Sequence, residues 1–183
     1  MAGIGGGGNL GEPRLVNFGS IPGNQYFVVK PEVVRYRIAG KVELRDYVGD
    51  ITRVPITVEL RRGGVAVRQE VLYTDAGGNY ILSDVEPGVY DLAFQAPHWL
   101  RVVVSEVTVA GADVTDVDVS LVNGDVNGDN EVSLLDFGQL VAAFGTAPGD
   151  AAWNPNADLN GDEDVSLDDF SILLRAFGAI GDD

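Results

Sequence analysis

The sequence predicts two domains, an all-β sandwich followed by a small all-α module, and three observations carry that prediction. From about Tyr36 to Val122 apolar and polar residues alternate with a period of two, whereas after Val122 two stretches space their apolar residues at helical intervals. A 21-residue segment recurs at an offset of 33. Charge is lopsided: there are 11 basic and 15 acidic residues up to Val122, but 1 basic and 13 acidic residues after it.

Residues 1–35 read as a linker with a possible extra strand, Tyr26 to Val29, ended by Pro31, or as the remnant of a preceding domain. The glycine-rich start, Met1 to Leu10, lacks the charged head and apolar core of a signal peptide. Within 36–122, Val54, Ile56, Val58 and Leu60 alternate with Pro55, Thr57, Glu59 and Arg61. A glycine turn at Ala76-Gly77-Gly78 leads into a strand, Pro87-Gly88 turns it, and a second strand follows through Val89 to Leu92. Val117, Val119 and Leu121 alternate with Asp116, Asp118 and Ser120. Short strands separated by such turns predict a sandwich.

In the remaining residues, 123–183, Asp125–Gly145 and Asp158–Gly178 share 13 of 21 positions. Each copy places oxygen-bearing side chains at loop positions 1, 3, 5, 9 and 12: Asp125, Asn127, Asp129, Ser133 and Asp136, then Asp158, Asn160, Asp162, Ser166 and Asp169. With the position-7 carbonyls of Glu131 and Asp164, this is the spacing with which a 12-residue loop surrounds a calcium ion, a hard cation that takes six to eight oxygens. Two ions are expected. Phe137, Leu140, Val141 and Phe144, and then Phe170, Leu173, Leu174 and Phe177, predict one helix after each loop, with Gly145 and Gly178 just past the ends. Ser133 and Ser166, each three residues before an Asp, are placed to cap those helices. At loop position 6 the chain turns through positive φ, which Asn130 tolerates and Glu163 does not, so the second site is expected to be the weaker.

Neither loop follows a helical pattern, so these are half EF-hands. A doubled calcium loop plus single helix resembles the dockerin family of cellulosome-type assemblies over about Asn123 to Gly178. The resemblance implies a non-catalytic module that binds a cohesin domain of a scaffold or cell-surface protein, extracellularly and with calcium. Its recognition residues would be Leu134, Leu135, Val141 and Ala142 in the first copy, and Leu167, Asp168, Leu174 and Arg175 in the second. The Gly-turn, strand, Pro-Gly turn, strand order of 74–92 resembles carboxypeptidase regulatory-like, transthyretin-like domains, which implies a seven-stranded immunoglobulin-like (prealbumin-like) sandwich. Such a domain before a dockerin resembles an X-module, and the short connector Val122-Asn123-Gly124 implies that the two pack together.

Composition narrows the alternatives. The chain has no cysteine, so disulfides, thiolate metal sites and cysteine nucleophiles are excluded. A net charge of −16 argues against nucleic acid, and no apolar run approaches the roughly 20 residues of a membrane span. The single histidine, His98, reads as an exposed turn residue beside a packed Trp99 and completes no catalytic set, so no enzyme is expected. A calcium-stabilised carbohydrate-binding or adhesive module is the alternative. An intracellular calcium sensor is disfavoured by the lone methionine, Met1.

Overall fold

Alternating strands bury one face each, and here two sheets bury theirs against a common core. The computed structural model describes residues 14–16, 27–29 and 33–183, with side chains from residue 33 onward. It divides the chain into two compact units, Met1–Val34 and Arg35–Asp183. In the first, β1 (Arg14–Val16) pairs antiparallel with β2 (Phe27–Val29), so a strand does form at the end of the Tyr26–Val29 stretch.

The second unit opens with β3 (Tyr36–Leu44), β4 (Ile56–Arg62), β5 (Val65–Leu72), β6 (Asn79–Val85), β7 (Gly88–Gln95), the two-residue β8 (His98–Trp99) and β9 (Val102–Val109). Two short strands, β10 (Val119–Leu121) and β11 (Asn123–Asp125), lead into helices α1 (Leu134–Ala143) and α2 (Leu167–Ala176). One sheet has the order β10-β3-β6, with β10 parallel to β3, and the other the order β5-β4-β7-β9, antiparallel throughout. Ile38, Val42 and Leu82 from the first sheet meet Ile56, Val58, Leu60, Leu92 and Phe94 from the second in one core. Tyr80 sits edge-on to Phe94, 5.3 Å between centroids, and donates its hydroxyl to the Val117 carbonyl at 2.8 Å, which satisfies the polar atom it carries inward.

The strand expected from the alternation over 116–121 is shorter than its pattern, Val119–Leu121. Asp116 turns left-handed at φ 63°, and the Asp113 and Asp118 carboxylates, rather than main-chain carbonyls, accept the N–H groups of Arg37 and Lys41, both at 2.8 Å. Aspartates thus replace part of the ladder until β10 begins. Gly40 accommodates this segment, because a Cβ there would lie 2.1 Å from the Val117 carbonyl oxygen.

The helices have a core of their own, formed by Val126, Val132, Leu140, Ala143, Leu159, Val165, Ile172 and Leu173. Leu100, between β8 and β9, is buried in this second core, so the sheet part contributes to the helical one. The connector is a polar joint: Asn123 Nδ2 donates to the carbonyls of Arg45 (3.2 Å) and Leu159 (2.7 Å). These bonds turn its Oδ1 toward His98 Nδ1, 2.8 Å away, which must carry the proton that Oδ1 accepts. Trp99 stacks on His98 at 3.8 Å and donates Nε1 to the Arg45 carbonyl, while Tyr47 packs edge-on against Trp99. His98 is therefore not the exposed turn residue the sequence suggests, since it is buried at 7% exposure. Its backbone is left-handed (φ 52°), as a turn residue's can be, but its ring is packed against Trp99 and bonded to Asn123.

Burial pushes the His98 pKa down to about 4, the Asn123 hydrogen bond opposing the shift. The unfolded chain, with an ordinary value near 6.5, therefore takes up the proton first, and stability present above about pH 6.5 is lost as pH falls toward 4. Denaturant melts across that window should show a loss of about 3 kcal/mol from this residue. The curve of His98→Asn, which suits positive φ and does not titrate, should be flatter there; equal slopes would refute the assignment.

Candidate functional site

Each loop closes on its own main chain through carboxylates, and the two copies do so almost identically. Asp125 Oδ1 accepts from the N–H groups of Gly128 (2.7 Å) and Asp129 (3.0 Å), and its Oδ2 from Asn130 (2.9 Å). Asp158 repeats this with Gly161 (2.8 Å), Asp162 (3.2 Å) and Glu163 (3.0 Å). At position 3, Asn127 and Asn160 each accept from the position-5 N–H and donate to that aspartate's carboxylate. The position-5 aspartates, Asp129 and Asp162, accept from the N–H groups of Glu131 and Asp164, both at 3.1 Å.

Position 12 ties loop to helix. Asp136 Oδ1 accepts from Asn127 N–H at 3.0 Å while its Oδ2 accepts from Ser133 N–H at 2.7 Å. Asp169 does the same for Asn160 and Ser166, and adds Leu159 N–H at 2.7 Å. Ser133 and Ser166 Oγ accept from Leu135 and Asp168 N–H, so both helices begin with a full capping box, as their Ser-x-x-Asp spacing predicts.

The electrostatics of these loops are unfavourable by themselves. Asp125, Asp136, Asp158 and Asp169 are all buried, and none of the ion pairs among the described residues reaches them. Burial pushes the Asp125 and Asp158 carboxyls above their ordinary value and the neighbouring Asp136 and Asp169 add to this, while main-chain N–H donors hold them down. Buried anions crowded by like charge and lacking a basic partner suit a cation in their midst. Among the described residues no three Asp, Glu or His side chains form a ligating group by themselves. The mixed donor set, with Asn127 and Asn160 amides, Ser hydroxyls and the carbonyls of Glu131 and Asp164, fits a hard oxygen-seeking ion better than a soft one.

The two copies interlock. Val132, at position 8 of the first loop, exchanges hydrogen bonds with Gly178 and Ala179 after α2, and Val165 does so with Gly145 and Thr146 after α1. Gly145 (φ 76°) and Gly178 (φ 84°) adopt the left-handed conformation this requires. Phe137 and Phe170 meet between the helices at 5.8 Å.

All eight residues expected to contact a partner are exposed: Leu134, Leu135, Val141 and Ala142 on the first copy, and Leu167, Asp168, Leu174 and Arg175 on the second. The helical stripe proves wider than the core needs. Leu140 and Leu173 point inward, whereas Val141, Phe144, Leu174 and Phe177 are about half exposed. Arg175 is also engaged within the chain, donating to Asp46 at 2.8 Å, an exposed pair of little energetic weight.

Sequence reasoning passed over the residues that brace the loops against the sheets. The Asn160 carbonyl accepts from both Val48 N–H (2.8 Å) and Gly49 N–H (3.3 Å), and Tyr47 lies against Gly161, leaving no room there for a side chain. Asn123 had a visible signal: the asparagine two residues before each loop, Asn123 and Asn156, recurs at the repeat offset.

Glu163 turns at φ 70°, as does Asn130, so a residue poorly suited to the left-handed region occupies position 6 of the second loop with its side chain exposed. Glu163→Gly should stabilise the metal-free protein by about 1 kcal/mol in thermal or denaturant melts. No gain would remove strain as a reason to expect the second site to be the weaker.

Residues 123–178 match the dockerin type I domain family, whose members bind calcium. Two similar solved structures are interface mutants of a type II cohesin–X-dockerin complex from Acetivibrio cellulolyticus. In the C-terminal interface mutant the matching chain is 26% identical with a TM-score of 0.66, and in the N-terminal interface mutant it is 24% identical with a TM-score of 0.65. Each match covers 80% of this chain and 97% of that one. No curated protein matches the chain. A β-sheet part followed by a dockerin type I match over 123–178 is thus the architecture of this chain, in the order of an X-module and its dockerin.

Proposed function

We propose that this chain is a non-catalytic assembly module that docks onto a cohesin domain of a scaffold or cell-surface protein outside the cell, in a calcium-dependent way. One observation carries the reading: two loops with buried, unpaired carboxylates each present, on the helix that follows, an exposed apolar face on an otherwise acidic surface. In this reading 36–122 form an immunoglobulin-like sandwich of X-module type and 123–183 the dockerin, with 1–35 leading into them. The loops are half EF-hands and hold two calcium ions. One ion would be held by Asp125, Asn127, Asp129, the Glu131 carbonyl, Ser133 through water, and Asp136; the other by Asp158, Asn160, Asp162, the Asp164 carbonyl, Ser166 through water, and Asp169.

Bound calcium offsets the buried negative charge that otherwise opposes closure of the loops. The residues of the chain do the rest. Asp136 and Asp169 fix each loop to its helix, and the interlocked ends hold the two helices in one orientation. Leu134, Leu135, Val141 and Ala142, or Leu167, Asp168, Leu174 and Arg175, then form the surface a cohesin covers. An apolar centre with a polar rim is the composition of a protein interface rather than of a catalytic cleft. The likeness to the complexes named above, both cohesin–X-dockerin, supports that partner.

Titration calorimetry of the chain with type I and type II cohesins in millimolar calcium tests this directly. Binding to one of them, lost on chelation and lost in the doubly substituted Asp125→Ala, Asp158→Ala chain, is the expected result, with the β-sheet signal in circular dichroism retained. Tight binding that survives chelation, or no binding to either type, would contradict it. Calcium at about 1,000 times its Kd should also stabilise the helical part by roughly 4 kcal/mol per ion.

A further inference from the structure

Position 6 of the first loop is occupied by Asn130 at φ 70°, where glycine would be the unstrained choice. Its side chain makes two bonds out of the loop: Oδ1 accepts from Arg101 N–H at 2.8 Å, and Nδ2 donates to the Asp182 carbonyl at 3.0 Å. Its own carbonyl accepts from Gly181 N–H at 2.9 Å. The segment after α2 then continues onto the sheet, with Asp182 N–H donating to the Arg101 carbonyl at 2.9 Å and Asp182 Oδ2 accepting from Val103 N–H at 2.8 Å. At its inner end the Ala179 carbonyl accepts from Val132, loop position 8. Residues 179–182 therefore touch in turn loop position 8, loop position 6 and β9.

The same asparagine reaches the site. Asn130 N–H donates to Asp125 Oδ2, the carboxylate at loop position 1, so whatever fixes Asn130 fixes a donor that orients that carboxylate. The second loop has no counterpart: Glu163 occupies the matching position with an exposed side chain, and that loop is braced instead at position 3, through the Asn160 carbonyl.

We propose that Asn130 is a positioning residue for the first calcium site and acts through a clasp, residues 179–182, that fastens this loop to the sheet part. Closing of the clasp and ion binding at the first loop are then one linked equilibrium, and each strengthens the other by the same factor. The inference rests on the calcium reading above and adds to it a reason for asparagine at a glycine position, together with a route by which the sheet part tunes one of two similar loops.

Gly181→Ala tests the clasp from outside the loop, because a Cβ at Gly181 would fall 2.1 Å from Asn130 Oδ1 and 2.8 Å from Arg101 N. Calcium is titrated into the full wild-type chain and the variant while the amide resonances of residues 127–131 and 160–164 are followed, so that each loop reports its own affinity. Hydrogen exchange at the Val103 amide, with and without calcium, reports the clasp. Wild type should show greater Val103 protection when calcium is present. The variant should lose that response and bind at the first loop roughly tenfold more weakly, the effect of losing one or two ordinary hydrogen bonds, with the second loop unchanged. Asn130→Gly should repeat the first-loop loss although it relieves the backbone, and Asn130→Asp, which keeps the acceptor for Arg101, should lose less. First-loop affinity that is unchanged when Val103 protection is lost would overturn the proposal, as would a Val103 amide indifferent to calcium in the wild type. Failure of the loop resonances to respond to calcium in the wild type would overturn the calcium reading itself.

Discussion

A single buried carboxylate at the end of each loop organises the helical part of this protein. Asp136 and Asp169 are fully buried, and each joins the entry of its loop to the start of its helix by accepting main-chain N–H groups from both. Alanine at either position would leave several buried donors without partners and remove a helix cap in the same step. The interlocked glycines, the contact of Phe137 with Phe170 and the outward aim of the leucines depend on helices that start where these aspartates place them. The cost is electrostatic, because the same arrangement brings a second buried aspartate close by with no basic side chain to balance it. On the proposed calcium reading a cation would resolve that conflict, and the geometry of closure and the binding of metal would then have one origin.

The sheet part is more than a neighbour to these loops. Leu100 extends from it into the helical core, Asn123 and His98 form a hydrogen-bonded joint, and the main-chain N–H groups of Val48 and Gly49 hold the second loop. Two parts with separate cores are thereby joined by one buried apolar side chain and by polar, directional contacts that fix their orientation.

Much of this was legible in the sequence, and the reasons differ by element. Period-two runs located β4 and the β6–β7 pair because each side chain's burial follows from its parity, and the turn residues between them allow little else. The loops and capped helices were legible because two copies of one pattern, 33 residues apart, cannot be coincidental turns. What escaped was long-range. Nothing local distinguishes His98 in Pro97-His98-Trp99 as a buried residue, since its partner, Asn123, lies 25 residues on in what read as a mere connector. The helical apolar stripes foretold helices but not which residues face inward, and half of them proved exposed. The strand before the first loop was overestimated because aspartate side chains took over hydrogen bonds that a ladder would have made.

The most direct test of the central claim is a count of the ions. Native mass spectrometry of the chain exchanged into dilute calcium reads the number bound per molecule without any assumption about partners. The account predicts two calcium ions per chain, falling to one when either Asp136 or Asp169 alone is replaced by alanine. A chain that carries no calcium under these conditions, or that keeps both ions after either replacement, would contradict it.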